Sequence, residues 1–173
     1  MQINKILIIR EPRDEDENDF LSAMQRSQFL HYPWVKPPLT SEEFKIYLKR
    51  SQMQNQKSYF VYELDNIVGV FNVNEIVRGF FESAYLGFYV VADYANKGYM
   101  SAGLKLVLKQ VFNELELHRL EANIQPENIA SINLVKANEF RKEGYSPRYL
   151  KIDGQWRDHE RWAITSEDWK QIH

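Results

Sequence analysis

The sequence predicts an α+β fold (mixed α/β) in which a central mixed β-sheet is flanked by helices, as a single domain over residues 1–173. Three observations predict it. The first half contains several runs rich in Val, Ile, Tyr and Phe, the apolar residues change to a helical period beyond Gly98, and strand-like and helix-like segments then alternate. A chain of 173 residues with 44% hydrophobic residues suits one compact core. No repeat or linker-like stretch divides it.

The first half is predicted to contain two helices, an irregular loop and four strands. Acids after Glu11-Pro12 suit the first turn of a helix, and Thr40 with Glu43 predicts the start of a second one. The prolines between the two helices predict an irregular aromatic loop. In order, we expect a strand at 6–10, a helix from about residue 14 that buries Phe20, Leu21 and Met24, the loop at 29–39, a helix from 40 that buries Phe44, Tyr47 and Leu48, and a meander of strands at 58–63, 67–77 and 83–91.

The second half is predicted to be a β-α-β-α-β unit. Beyond Gly98, six apolar residues fall on one helical face, namely Leu104, Val107, Leu108, Val111, Phe112 and Leu115. The elements that follow are expected at 119–124 (strand), 128–138 (helix), and around 148–152 and 161–165 (strands). Trp156, Trp162 and Trp169 are expected to pack in the core or at its edge.

Composition excludes several classes of function. The formal charge of -2 and the pI of about 6.1 give no bulk electrostatic reason for nucleic-acid or membrane binding, so we expect no direct DNA binding and no membrane association. The chain has no cysteine, which removes disulfides and a cysteine acyl-enzyme. The apolar run at 6–9 is too short for a signal-peptide core. The four histidines show no ligand spacing, so we expect no metal. The lack of cysteine and of a signal-peptide core agrees with a cytoplasmic protein, which we expect to be a monomer or a dimer.

The segment 94–101 is the strongest candidate for a ligand-binding loop. It joins a predicted strand to a helix that begins near Gly98, and the first amides of a helix have no partner within it. Those amides and the helix dipole favour a phosphate, and glycine allows close approach to the main chain. The alternative is that Gly98 merely relaxes an ordinary strand-to-helix connection. The spacing of Gly98 and Gly103 matches neither a nucleotide P-loop nor a dinucleotide-binding fingerprint.

Several motifs around this loop resemble those of the GNAT family of acetyltransferases, in the same order and spacing. They are Tyr85-Leu86-Gly87-Phe88, Asn96-Lys97-Gly98-Tyr99-Met100, His118-Arg119-Leu120-Glu121-Ala122-Asn123, Pro126 with Asn128 and Ser131, and Phe140-Arg141-Lys142-Glu143-Gly144-Tyr145. The RimJ branch, which contains ribosomal-protein-alanine N-acetyltransferases, is resembled more narrowly by Val77-Arg78-Gly79, by Ile152-Asp153-Gly154-Gln155-Trp156-Arg157-Asp158-His159, and by Thr165 with Asp168-Trp169.

This resemblance implies a splayed sheet that admits acetyl-CoA as a cosubstrate between two parallel strands. The backbone of the first strand would bond the pantetheine arm, amides of the loop would hold the pyrophosphate, and two asparagines would line the far side. In that order, the implied residues are Phe88, Tyr89 and Val90; Lys97, Gly98, Tyr99, Met100 and Ser101; and Asn128 and Asn133.

Acetyl transfer to an amine needs a base, a stabilised oxyanion and a proton for the leaving thiolate. By resemblance, Glu121 is the candidate base and Ser131 the candidate group at the thiolate, whereas a salt-bridged strand glutamate and a structural hydroxyl are the alternatives. Glu75 and Glu82 are competing bases. The oxyanion would be met by a backbone N–H near Val90. Without cysteine, direct attack in a ternary complex is the simplest scheme.

The acceptor site is predicted in the aromatic loop. His31 and Trp34 are candidate walls of that site, with capping of the core as the alternative, and Arg78 is a candidate contact to acceptor or coenzyme, with a surface ion pair as the alternative. The expected activity is acetylation of the N-terminal α-amine of a ribosomal protein, with possible ribosome association. Two alternatives remain open: acetylation of a small amine such as a polyamine, an aminoglycoside or an amino acid, and a weakly active ribosome-assembly binding protein.

Overall fold

The computed structural model describes residues 6–172. One seven-stranded sheet runs through the molecule in the order β1-β2-β3-β4-β5-β7-β6. The strands are β1 (Leu7–Arg10), β2 (Lys57–Glu63), β3 (Asn66–Val77), β4 (Ser83–Val90), β5 (Arg119–Ile124), β6 (Arg141–Ile152) and β7 (Gln155–Thr165). The helices are α1 (Glu17–Arg26), α2 (Gln28–His31), α3 (Ser41–Ser51), α4 (Tyr99–Lys109), α5 (Ile129–Ala137) and α6 (Ser166–Ile172).

The sheet consists of two antiparallel parts joined by one parallel contact. Strands β1 to β4 form the predicted meander, and β5, β7 and β6 form the second part. Strands β4 and β5 run parallel and pair at only three positions, from Ser83 opposite Arg119 to Tyr85 opposite Glu121. Beyond Tyr85 the two strands diverge, which is the splay that the resemblance implied.

Helices cover both faces of the sheet because successive residues of a strand point to opposite faces. On one face, α4 and α5 pack on alternate residues of β3, β4 and β5, with Leu104, Val107 and Leu120 fully buried. On the other face, α1 and α3 bury Phe20 and Phe44 against β2 and β3. The mixed sheet flanked by helices is therefore confirmed.

Three local predictions differ from the structure. The segment predicted to be irregular begins with α2, because its prolines start only at Pro33 and leave the preceding amides able to close a helical turn. Strands β6 and β7 form a hairpin much longer than predicted, since its exposed residues give little apolar alternation. Trp156 lies in that hairpin with 61% of its surface exposed, so it is not a packing residue, whereas Trp162 is buried and Trp169 packs on Phe112.

Within residues 6–172, none of the helices is long and apolar enough to cross a membrane. Across the same part of the chain, no three side chains of the types that bind metals lie together.

Candidate active site

The gap between the diverging strands β4 and β5 forms a cavity. Its volume is about 510 Å³. Its walls are the second half of β4, the end of β5, the loop before α4, the first turns of α4 and α5, and α2 with the residues that follow it. The lining residues include Phe88, Val90, Gly98, Met100, Ser101, Asn123, Asn128, Ser131, Asn133, His31 and Trp34.

The edge of β4 that faces this gap carries backbone groups that do not pair with another strand. Val91 N–H donates to Val68 O on β3 at 3.0 Å, and Val90 lies opposite Gly69 in the register of the two strands. Backbone groups of an antiparallel strand alternate between its two neighbours, so the N–H and C=O of Phe88 and Val90 point into the gap. Tyr89, which was predicted with them, has its backbone groups turned toward β3 for the same reason.

The loop at the mouth of the gap ends in a left-handed glycine. Gly98 has φ +79° and caps the N-terminus of α4, a helix of 11 residues. The first bond of the helix is Ala102 N–H to Gly98 O at 3.2 Å, so the amides of Met100 and Ser101 in its first turn have no acceptor within α4. The Lys97 ammonium donates to Asp93 O at 2.6 Å, which ties that side chain to its own loop. This N-terminus suits a phosphate.

Helix α5 forms the opposite wall. The Asn128 side chain caps it by accepting from Ser131 N–H at 3.3 Å, and both residues line the gap together with Asn133. At the other end of α5, buried Asn138 donates through Nδ2 to Ser101 Oγ at 3.1 Å and to Leu134 O at 2.9 Å. Sequence reasoning missed Asn138, whose only local signal is an asparagine at a helix C-terminus. It fastens α5 to the first turn of α4.

A splayed parallel pair with a glycine-capped helix at its mouth is the geometry that the motifs implied, and the sequence profile of the acetyltransferase (GNAT) domain matches residues 7–141. The chain belongs to the GNAT acetyltransferase family.

This GNAT acetyltransferase is similar to known proteins in sequence and in fold. It is 41% identical over 103 residues to the [ribosomal protein uS5]-alanine N-acetyltransferase of Escherichia coli, a match that covers 60% of this chain and 53% of that protein. RimJ of Mycobacterium smegmatis, solved with CoA-disulfide, superposes with a TM-score of 0.86 at 26% identity, over 94% of this chain and 83% of that one. Spermidine N-acetyltransferase of Vibrio cholerae, solved with CoA and spermine, shares the fold with a TM-score of 0.82 at 20% identity, over 96% and 99%.

In the acetyltransferase, Glu121 lies where the two parallel strands part. Its side chain is 13% exposed and accepts from Arg119 Nη2 at 3.0 Å, and Arg119 also bonds Glu143 at 2.6 Å. Tyr85 lies opposite Glu121 in the register of the two strands, and burial raises the pKa of nearby Tyr149. Glu121 borders the gap without lining it. Of the competing bases, Glu82 is bonded to Arg78 and to Gly79 N–H in the β3–β4 turn.

The structure brings His31 and Trp34 to the gap but does not bring Arg78 there. Arg78 lies in the β3–β4 turn, where Nη1 donates to Leu115 O at 2.6 Å and to Glu82 at 3.1 Å. That turn is at the end of β4 away from the gap. This geometry matches the alternative given for Arg78, a surface ion pair.

A second cavity of about 410 Å³ adjoins the first. Trp34 and Gln125 line both cavities, and the second is completed by Pro33, Glu127 and by Trp156, Arg157 and Asp158 of the β6–β7 hairpin. The exposed Trp156 therefore stands at the wall of a concavity that continues from the gap.

Two lining residues on the same side were missed from the sequence. Asn123 is two residues beyond Glu121 on β5, hence on the same face, and its Oδ1 is buried without a partner among the described residues. His159 is buried, with Nδ1 bonded to Arg157 O at 2.9 Å, and burial lowers its pKa. The alternation of side chains along β5 could have indicated Asn123 from the sequence. Placing His159 at the gap requires the path of β7 in the folded chain.

Proposed function

We propose that this GNAT acetyltransferase transfers an acetyl group from acetyl-CoA to the N-terminal α-amine of a protein, with ribosomal proteins as the first candidates. The observation that carries the proposal is the three-position pairing of β4 with β5, which opens a gap between a glycine-capped helix at one end and Glu121 at the other.

The gap suits the donor. From Tyr85 to Val90 the strand runs about 16 Å at roughly 3.3 Å per residue, so an extended pantetheine arm fits beside it as a strand would. The N–H and C=O of Phe88 supply bonds to the amides of the arm. The pyrophosphate then lies against the amides of Tyr99, Met100 and Ser101, and Asn128 and Asn133 flank the arm from α5.

The reaction follows from this placement. The neutral amine attacks the thioester carbonyl carbon, the C–S bond breaks, and the proton lost by the amine passes to Glu121 directly or through a water molecule. A backbone N–H on the open edge of β4 stabilises the oxyanion, and Ser131 on the facing wall protonates or contacts the thiolate. An α-amine has a pKa of roughly 7.7–8.0, against about 10.4 for lysine, so it needs only a modest base.

The acceptor region supports an extended substrate. The second cavity continues the first past Trp34 and is bordered by the exposed indole of Trp156. A peptide that places its terminal amine at the thioester has room in the second cavity for the residues that follow. The similarity to an enzyme for a ribosomal-protein alanine adds support from a relative.

Acetylation of a small polyamine is the second candidate. The acids Glu127 and Asp158 line the second cavity, and a cationic amine pairs favourably with carboxylates. Arg157 in the same wall opposes that attraction.

Intact-mass spectrometry distinguishes the two candidates. The enzyme is incubated with acetyl-CoA and, separately, with purified ribosomal proteins, N-terminal peptides with free or blocked α-amines, and spermidine. We expect a mass increase of one acetyl group on free-α-amine peptides and none on the blocked ones. Faster acetylation of spermidine than of every peptide would establish the second candidate instead. Gly98→Asp serves as the coenzyme-deficient control.

A further inference from the structure

The end of β4 is held from one side by the corner between α1 and α2. Ser27 at this corner is fully buried, and its Oγ accepts from Ala92 N–H at 2.9 Å while donating to Ala23 O at 2.7 Å. One turn later, His31 Nε2 lies 2.7 Å from Val90 O. Two main-chain groups just ahead of the phosphate loop are therefore fixed by α1 and α2.

The bond from His31 has a defined direction. Because a carbonyl oxygen only accepts, Nε2 carries the hydrogen. The side chain is buried, its ring meets the ring of Tyr89 edge-on at 5.4 Å, and Nδ1 has no partner among residues 6–172. Burial also lowers the pKa of His31, which favours the neutral ring. The imidazole is thus a fixed donor to one backbone carbonyl.

The same residue begins the acceptor wall. The main-chain carbonyl of His31 accepts from Trp34 N–H at 2.8 Å and from Val35 N–H at 3.1 Å. The turn that places Trp34 in both cavities therefore starts at the residue whose ring holds the coenzyme edge of β4.

We propose that His31 is a positioning residue for acetyl transfer: by occupying the Val90 carbonyl it sets the register of the pantetheine arm along β4. This inference rests on coenzyme A binding in the gap and is independent of which amine is acetylated. Val90 O faces the gap as Phe88 O does, so an arm amide has two equivalent acceptors on bare β4. They lie two residues, or about 7 Å, apart. The imidazole removes one of them.

The consequence is a single register. The amide N–H groups of the arm can bond Phe88 O but not Val90 O, and the thioester then stops at one depth relative to Glu121 and Ser131. Without the imidazole, Val90 O becomes available and part of the bound coenzyme can adopt a shifted register that is unproductive. His31 also keeps the Trp34 turn aligned with that register.

The test compares two probes by isothermal titration calorimetry. Coenzyme A contains the pantetheine arm, whereas adenosine 3′,5′-bisphosphate is its nucleotide end without the arm. The variants are His31→Phe, which keeps a ring against Tyr89 but has no donor, and His31→Gln, whose amide can donate to Val90 O. Tyr32→Phe is the matched control, because Tyr32 is the neighbouring residue and is 73% exposed.

We expect His31→Phe to tighten coenzyme A binding severalfold, because the freed Val90 carbonyl adds a second bound register, to leave bisphosphate affinity unchanged, and to lower kcat at saturating acetyl-CoA. His31→Gln should recover most of kcat, and Tyr32→Phe should match the wild type in all three measurements. An equal change for both probes would show that the ring only supports the fold, and an unchanged kcat in His31→Phe would show that the bond does not set the register. Either result overturns the proposal. Failure of the wild type to bind coenzyme A would instead overturn the coenzyme assignment on which it rests.

Discussion

Replacing Gly98 by Asn and by Asp separates backbone conformation from charge at the mouth of the gap. At φ +79° an L-residue is strained, but Asn and Asp tolerate this region better than other side chains. Both can also accept from the first amides of α4, as helix N-caps do. The two variants therefore share shape and capping and differ by one negative charge.

The size of the charge effect follows from Coulomb's law. A carboxylate about 5 Å from a phosphate charge is repelled by about 3 kcal/mol at an effective dielectric constant near 20. Gly98 is exposed, so solvent and salt reduce this to about 1–3 kcal/mol, or roughly 5- to 150-fold in Kd.

Calorimetric titration of both variants with coenzyme A measures that ratio, and repeating it at high salt should shrink it because exposed charges are screened. Gly98→Ala measures the effect of the left-handed backbone conformation without a polar or charged side chain. It should lower stability by about 1–2 kcal/mol, or Tm by about 2–8 °C. Equal coenzyme A affinity of the Asn and Asp variants would refute the placement of the pyrophosphate at α4.

Three further predictions concern the walls of the gap. Glu121→Gln can still accept from Arg119. It should lower kcat at least tenfold with a peptide amine and leave KM for acetyl-CoA nearly unchanged, since a general base contributes about 10²–10⁴-fold. An unchanged kcat would show that Glu121 is not the base. Asn138→Leu should weaken coenzyme A binding severalfold by releasing Ser101 Oγ, and should have little further effect in Ser101→Ala, because the side chains act as a pair; additive losses would contradict this. Burial lowers the folded-state pKa of His31 and His159, so the unfolded chain takes up protons first as pH falls below about 6.5 and stability declines. Melting curves from pH 7.5 to 5.5 should show a falling Tm that flattens when both residues are replaced by Gln.

Features encoded locally were predictable from the sequence. The strands of the meander, α4 and the glycine at its N-cap all follow from apolar period and one backbone requirement. The long β6–β7 hairpin was underestimated because β6 is an edge strand that is mostly exposed, and exposed strands carry a weak apolar pattern.

Contacts between distant segments were not predictable in the same way. His31 meets Val90 across 59 positions of sequence, and Asn138 meets Ser101 across 37. Each bond depends on how a helix is docked on the sheet, which no local pattern specifies. Arg78 is the opposite case. A local motif suggested it as a contact to acceptor or coenzyme, but in the folded chain the β3–β4 turn directs its side chain to Leu115 O.

The brief parallel contact between β4 and β5 also bears on self-association. A strand edge with open N–H and C=O groups is a template for pairing with another polypeptide, and proteins usually shield such edges. Here the open edges lie inside a wedge closed at Tyr85 and Glu121 and roofed by α4 and α5. The unfinished sheet thus keeps its open hydrogen-bonding groups inside a covered wedge, away from the outer surface where edge-to-edge pairing occurs.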